Sequence, residues 1–203
     1  MVSNISGVIL AGGAGKRFNG IIKPRILIDG KTIISRIIAT ISEIFDEIII
    51  VTNSPEGFSE FSNCKVISDQ LLNKGPLAGI HSALKVSEKE ALFVFAGDMP
   101  LLDKEFIIRQ INYYNINNCK VLIPRINNYI EPLHGIYKKT LFRILEDYLI
   151  VNHDYAVREF LKKVNVRYMQ LEESEKTRSA FLNINSPYDV SVAEKLLKTG
   201  RII

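Results

Sequence analysis

Apolar positions along the chain follow two alternating rhythms. Gly7-Val8-Ile9-Leu10, Ile48-Ile49-Ile50-Val51-Thr52, Lys65-Val66-Ile67 and the run from Ala91 to Ala96 are short and rich in β-branched residues, and they read as buried strands. Between them the spacing changes to i, i+3, i+4. Ile33, Ile34, Ile37, Ile38, Ile41 and Phe45 share one helical face behind a capping Thr32, and Leu77, Ile80 and Leu84 mark another such face. A helix from Asp103 to Tyr114 and a strand from Val121 to Pro124 repeat the alternation. Beyond these the pattern predicts a strand at Leu133 to Tyr137 and helices at Leu141 to Leu149 and Tyr155 to Lys163. Short strands are expected at Val166 to Met169 and Phe181 to Ile184, and a last amphipathic helix opens at Pro187. Glu172 to Arg178, the most polar stretch, reads as a surface loop. Strand and helix in this order predict an α/β fold with a mostly parallel sheet.

With 203 residues, 47% hydrophobic and 24% charged, and with no linker rich in Pro, Gly or Ser, the chain is expected to form a single domain over 1–203. No segment has the apolar length of a membrane helix and no cleavable leader is evident, so the expected setting is the cytoplasm, with no membrane partner. Cys64 and Cys119 have no metal-ligand spacing and read as reduced structural thiols. The net charge of +4 is less informative than its placement. Lys16, Arg17, Lys23 and Arg25 are the charged residues between Met1 and Ile28, where Asp and Glu are absent, which suits a small polyphosphate better than nucleic acid.

That basic stretch adjoins Leu10-Ala11-Gly12-Gly13-Ala14-Gly15-Lys16-Arg17, a glycine loop directly after the first strand. Glycines there allow backbone N–H groups to approach phosphate oxygens. The loop is neither a Walker A sequence, since Leu10 and Arg17 occupy two of its required positions, nor a GxGxxG fingerprint, which Phe18 interrupts. Arg17 and Lys23 are cations able to neutralise a triphosphate and its departing pyrophosphate, although a tight structural turn with exposed charges has the same sequence. Asp98, after the strand ending at Ala96, is placed either to hold a hard cation such as Mg²⁺ or to cap the next helix, a role Asp103 fills better. Asn53 and Asp69 stand just past two other strand ends. Each is also a common turn residue, but together they bring four strand ends to one crevice.

Taken together these residues resemble the molybdenum cofactor guanylyltransferase (MobA) family over nearly the whole chain. The likeness runs through Leu10 to Gly13 with Arg17 and Lys23, Asn53, Asp69, Gly75-Pro76-Leu77-Ala78-Gly79, Gly97-Asp98-Met99-Pro100, Glu131-Pro132-Leu133 and Phe181 to Pro187. The resemblance implies a Rossmann-like three-layer α/β/α fold of the nucleotide-diphospho-sugar transferase type. It also implies a Mg²⁺-dependent enzyme that joins GMP from GTP to molybdopterin, the organic part of the molybdenum cofactor, and serves molybdoenzyme-maturation proteins. By the same resemblance Leu10, Ala11, Gly12, Gly13, Lys23, Asn53, Asp69 and Asp98 would contact the nucleotide, and Arg17, Lys23 and Asp98 would act in catalysis. Asp98 would be the metal ligand, and Asn183 and Asn185 would hold the pterin. Gly12, where related cytidylyltransferases carry alanine, would help select a purine.

The chain departs from the usual pattern at Phe18, Asn19 and Ile22, and its Lys23-Pro24 is similar to sugar-phosphate nucleotidyltransferases. Cytidylyl transfer, a sugar or polyol phosphate acceptor, and a nucleotide-binding regulator without turnover are the alternatives. Of the histidines, His81 reads as partly buried on a helix and His153 as a loop residue, while His134 admits a pterin contact without requiring one.

Overall fold

A computed structural model of the chain describes residues 4–12 and 22–199. Its elements in chain order are β1 (Ile5–Leu10), β2 (Leu27–Ile28), β3 (Lys31–Thr32), α1 (Ile33–Ile41), β4 (Ile48–Val51), β5 (Lys65–Ile67), α2 (Gly75–Val86), β6 (Ala91–Ala96) and α3 (Lys104–Asn117). Then follow β7 (Val121–Ile126), β8 (Tyr129–Ile130), β9 (His134–Lys138), α4 (Phe142–Val151), α5 (Val157–Leu161), β10 (Val166–Leu171), α6 (Glu175–Ala180) and α7 (Pro187–Lys198). The main sheet has the order β10-β7-β9-β6-β1-β4-β5, with β8 paired to β7, and β2 and β3 form a separate ribbon. Neighbours run parallel except for β9, antiparallel to both β6 and β7, and β8.

Alternation along the central strands divides the core. Ile5 and Ile9 of β1 and Phe93 and Phe95 of β6 pack with α1, α3 and α7, while Val8, Leu92 and Val94 point to α2, α4 and α5 on the other face. Helices on both faces of a mostly parallel sheet make three layers, as the alternation of strand and helix predicts. Helix starts follow the expected chemistry: Thr32 Oγ1 accepts from the Ser35 N–H at 3.3 Å and Asp103 Oδ1 from the Phe106 N–H at 3.0 Å.

Three local expectations are corrected. Helix α1 ends at Ile41, and Phe45 lies beyond it, still buried, edge-on to Phe93 and Phe95. The polar stretch after Glu172 is not all loop. Ser174 and Thr177 form a reciprocal capping box that starts α6 despite the absence of an apolar stripe. Phe181 to Ile184 makes no strand; the Ile184 N–H donates to the Asp98 carbonyl at 2.9 Å, and the chain then turns into the cap of α7.

Candidate active site

The register of the parallel strands builds the site. Leu10 lies opposite both Val51 and Ala96, and Val51 lies opposite Ile67, so β1, β4, β5 and β6 end side by side. Gly12, Asn53, Asp69 and Asp98 each stand two residues beyond one of those ends. The chain leaves the sheet under tight backbone control, with Ala11 N–H donating to Val51 O at 2.8 Å, Thr52 N–H to Ile67 O at 2.9 Å and Gly97 N–H to Leu10 O at 3.0 Å. A side chain at position 97 is excluded, since its Cβ would lie 2.7 Å from the Leu10 carbonyl oxygen and 2.9 Å from Pro24 Cγ.

Above these ends lies a crevice of about 390 Å³, lined by Leu10, Gly12, Lys23, Asn53, Asp69 and Asp98 together with the N-terminal residues of α2 and Leu133. This is the carboxyl edge of an open α/β sheet, where such folds collect ligands. Its two ends differ chemically. At one end Lys23 Nζ donates to Asp98 Oδ2 at 2.8 Å and to Asn185 Oδ1 at 2.6 Å. At the other, Asn53 Nδ2 donates to Asp69 Oδ2 at 3.0 Å and Asn53 Oδ1 accepts from the Asp69 N–H at 3.1 Å. Burial pushes the Asp69 carboxyl above its ordinary value, and the bond from Asn53 opposes that shift. The left-handed Asn73 and Gly75, both at φ 61°, carry the chain from there into α2.

The geometry separates the residues singled out from the sequence. Leu10 lines the crevice, whereas Ala11 is buried with its N–H spent on Val51, so no phosphate contact is open to that donor. Gly12 is exposed at the crevice, and among the described residues a Cβ there would meet nothing within 4 Å. Asn185 reaches Lys23, but Asn183 Nδ2 is turned to the Phe181 carbonyl at 3.2 Å. Gly13 and Arg17 lie outside the described residues. His134 is wholly buried among Phe93, Phe95, Phe106 and Phe181, which removes it from contact with any pterin.

Sequence reading did not find Glu131 as a buried carboxyl. It accepts from Tyr129 Oη at 2.6 Å and from the Leu133 N–H at 3.2 Å, and burial, with the charge of Asp98 adding to it, raises its pKa. An isolated Glu before Pro-Leu carries no periodic signal of burial.

Comparison with known proteins identifies the family. A family model described as the MobA-like NTP transferase domain matches residues 7–171. The chain belongs to that family. A "Probable molybdenum cofactor guanylyltransferase" of Natranaerobius thermophilus is 36% identical, over 97% of this chain and 98% of the relative. A molybdenum cofactor guanylyltransferase of Desulfosudis oleivorans is 30% identical, over 98% of each. Among solved structures, the molybdopterin-guanine dinucleotide biosynthesis protein A of Archaeoglobus fulgidus superposes with a TM-score of 0.81 at 27% identity, over 96% of this chain and 99% of that one. The fold is thus that of the nucleotide-diphospho-sugar transferases, as MobA-like proteins display it.

The described residues hold no cluster of three His, Cys, Asp or Glu able to cage a metal. Asp98 on its own, facing a crevice large enough for a triphosphate, still suits Mg²⁺, which retains waters and takes one or two carboxylates together with substrate phosphates. None of the described helices is long and apolar enough to cross a membrane.

Proposed function

We propose that the crevice binds GTP and the phosphate of molybdopterin, and that the chain transfers GMP from the first to the second with release of pyrophosphate. The observation that carries this reading is the meeting of Lys23, Asp98 and Asn185 at one end of the crevice, in a chain of the MobA-like family. Lys23 and Asn185 are 162 positions apart in sequence, so the site draws on both ends of the chain, which supports residues 1–203 acting as one nucleotidyltransferase domain.

A terminal phosphate oxygen of the pterin attacks the α-phosphorus of GTP, a new P–O bond forms, and the bond from that phosphorus to the bridging oxygen of pyrophosphate breaks. The protein contributes position and charge, with no covalent intermediate. Lys23 is placed to meet the charge that grows on the transferred group and the departing pyrophosphate, and Arg17 is assigned the same task. Asn185 orients Lys23 and borders the pterin side. Asn53 and Asp69 face the guanosine half, and Gly12 leaves room for a purine. Asp98, together with the nucleotide's phosphates, would hold Mg²⁺, which would supply neutralisation of phosphate charge.

The test is product formation by the purified chain with molybdopterin, Mg²⁺ and each of GTP, CTP, ATP and UTP. Pyrophosphate release with GTP and a guanine dinucleotide product by mass spectrometry are expected. Turnover with CTP in preference to GTP would move the assignment to cytidylyl transfer, and no turnover with any nucleotide would remove the enzyme reading.

A further inference from the structure

The turn at the mouth of α2 is held from behind. Asn73 and Gly75 line the crevice, and Lys74 between them turns its side chain the other way. Its Nζ donates to the Leu149 carbonyl at 2.5 Å and to Tyr155 Oη at 2.9 Å, and lies 4.3 Å from the centroid of the Tyr155 ring. Leu149 is in the last turn of α4, where carbonyls lack partners within the helix and the helix dipole presents its negative end. Lys74 therefore satisfies an orphan acceptor with the charge sign favoured there.

Asn73 and Gly75 are residue types that enter the left-handed region at little cost, so what an anchor adds is the position of the turn and not relief of strain. A Cβ at Gly75 would also stand 3.9 Å from the Tyr155 carbonyl oxygen, so the turn and the segment after α4 lie close together. Among the described residues the cation lining the crevice is Lys23, at the opposite end, and the triphosphate belongs there. What remains for the turn and the Asn53–Asp69 pair is the base.

We infer that Lys74 is a positioning residue for base selection: by tying the 73–76 turn to the end of α4 and to Tyr155, it fixes the backbone against which the purine edge is read. The inference rests on the guanylyl-transfer reading of the crevice. It assigns Lys74 no contact with substrate and no part in the chemical step.

The experiment compares wild type, Lys74→Met, Lys74→Arg and Tyr155→Phe. Dissociation constants for GTP and ATP with Mg²⁺ are measured by calorimetry, with kcat for pterin guanylylation and the melting temperature alongside. Loss of a charge-assisted anchor in Lys74→Met is expected to weaken GTP binding about tenfold, with less effect on ATP. The preference for GTP then narrows while kcat changes by less than about twofold, because the phosphate end is untouched. Tyr155→Phe, which loses one bond of the anchor and keeps the ring, should fall between, and Lys74→Arg should recover part of the preference. Should Lys74→Met fail to fold, Tyr155→Phe decides the matter alone. An unchanged GTP-to-ATP ratio in the variants, or equal losses for both nucleotides together with kcat and melting temperature, overturns the inference. Wild type that does not prefer GTP overturns instead the reading on which it rests.

Discussion

At the scale of single residues, Asp98 is already neutralised by the protein's own cation. Lys23 Nζ sits 2.8 Å from Oδ2, with Lys23 at 29% and Asp98 at 20% side-chain exposure. A divalent ion arriving alone would compete with that ammonium for one carboxylate, and no group of three His, Cys, Asp or Glu among the described residues is there to cage it. A nucleotide changes the balance, because its phosphates offer Lys23 another partner and give the metal additional oxygens. We therefore predict that the protein takes up metal together with nucleotide. In a Mn²⁺ titration followed by electron paramagnetic resonance, wild type should bind weakly alone and tightly with GTP. Lys23→Met should tighten nucleotide-free binding about fivefold, which corresponds to roughly 1 kcal/mol of removed competition at a partly buried pair. Asp98→Asn should bind poorly in both conditions. Equal nucleotide-free affinities for wild type and Lys23→Met would show that Lys23 does not mask the carboxylate.

At the scale of elements, the sequence disclosed what local rules govern and concealed what only packing decides. The strand ends carrying Gly12, Asn53, Asp69 and Asp98 were legible because buried β-branched runs stop abruptly there, and the register then aligns them. The capping box of α6 was present as Ser174 and Thr177 but lay in a polar stretch without a hydrophobic stripe, and hydrophobic periodicity is blind to such a helix. The contacts of Lys74 and Glu131 depend on partners distant in sequence or on burial, which no spacing reveals. The start of α7 joins local rule to site. Asp189 Oδ2 accepts from the N–H groups of Asn185 at 2.9 Å and Ser186 at 2.8 Å, and Ser186 Oγ caps the helix in return. Those bonds, the Asn185 N–H foremost, hold the Asp189 carboxyl below its ordinary pKa and set the direction from which Asn185 meets Lys23. Ser186→Ala should cost about 1 kcal/mol, a fall of some 2–4 °C in melting temperature for a chain of this size. It should also lower guanylyl transfer while leaving the affinity for GTP near that of wild type, since Asn185 lies on the acceptor side. An unaltered rate with a lowered melting temperature would confine the cap to stability.

At the scale of the whole molecule, one buried imidazole joins three parts of the fold and makes stability depend on pH. His134 of β9 is stacked on Phe106 of α3 and meets Phe93 and Phe95 of β6 and Phe181 of the C-terminal segment edge-on. Its Nδ1 faces Gln110 Oε1 at 3.2 Å and its Nε2 has no partner among the described residues, so a proton added there would create an unpaired charge among aromatic rings. Burial accordingly lowers its pKa from 6.5 to about 3. The unfolded chain then takes up a proton as pH falls below about 6.5 while the folded chain does not, so acid favours unfolding, by up to about 1.4 kcal/mol per pH unit. His81, also lowered by burial, acts in the same direction. Glu131 and Asp69 act in the opposite one, since burial raises their pKa and folding gains as they take protons. Carboxyls held low, such as Asp46 and Glu60, contribute below their ordinary range near pH 4. The window from pH 6.5 to 5 therefore isolates the histidines against the two raised carboxyls, and a single variant separates His134 from the rest. His134→Leu retains the backbone carbonyl that accepts from Gln110 Nε2 and leaves Gln110 Oε1 without its partner at every pH, a constant offset. Urea denaturation across that window should show wild type losing stability more steeply on acidification than His134→Leu, with the gap between them changing by about 1 kcal/mol or more per pH unit. Parallel curves, separated by a constant amount, would mean that the imidazole is protonated equally in both states and that the aromatic enclosure imposes no electrostatic cost on it.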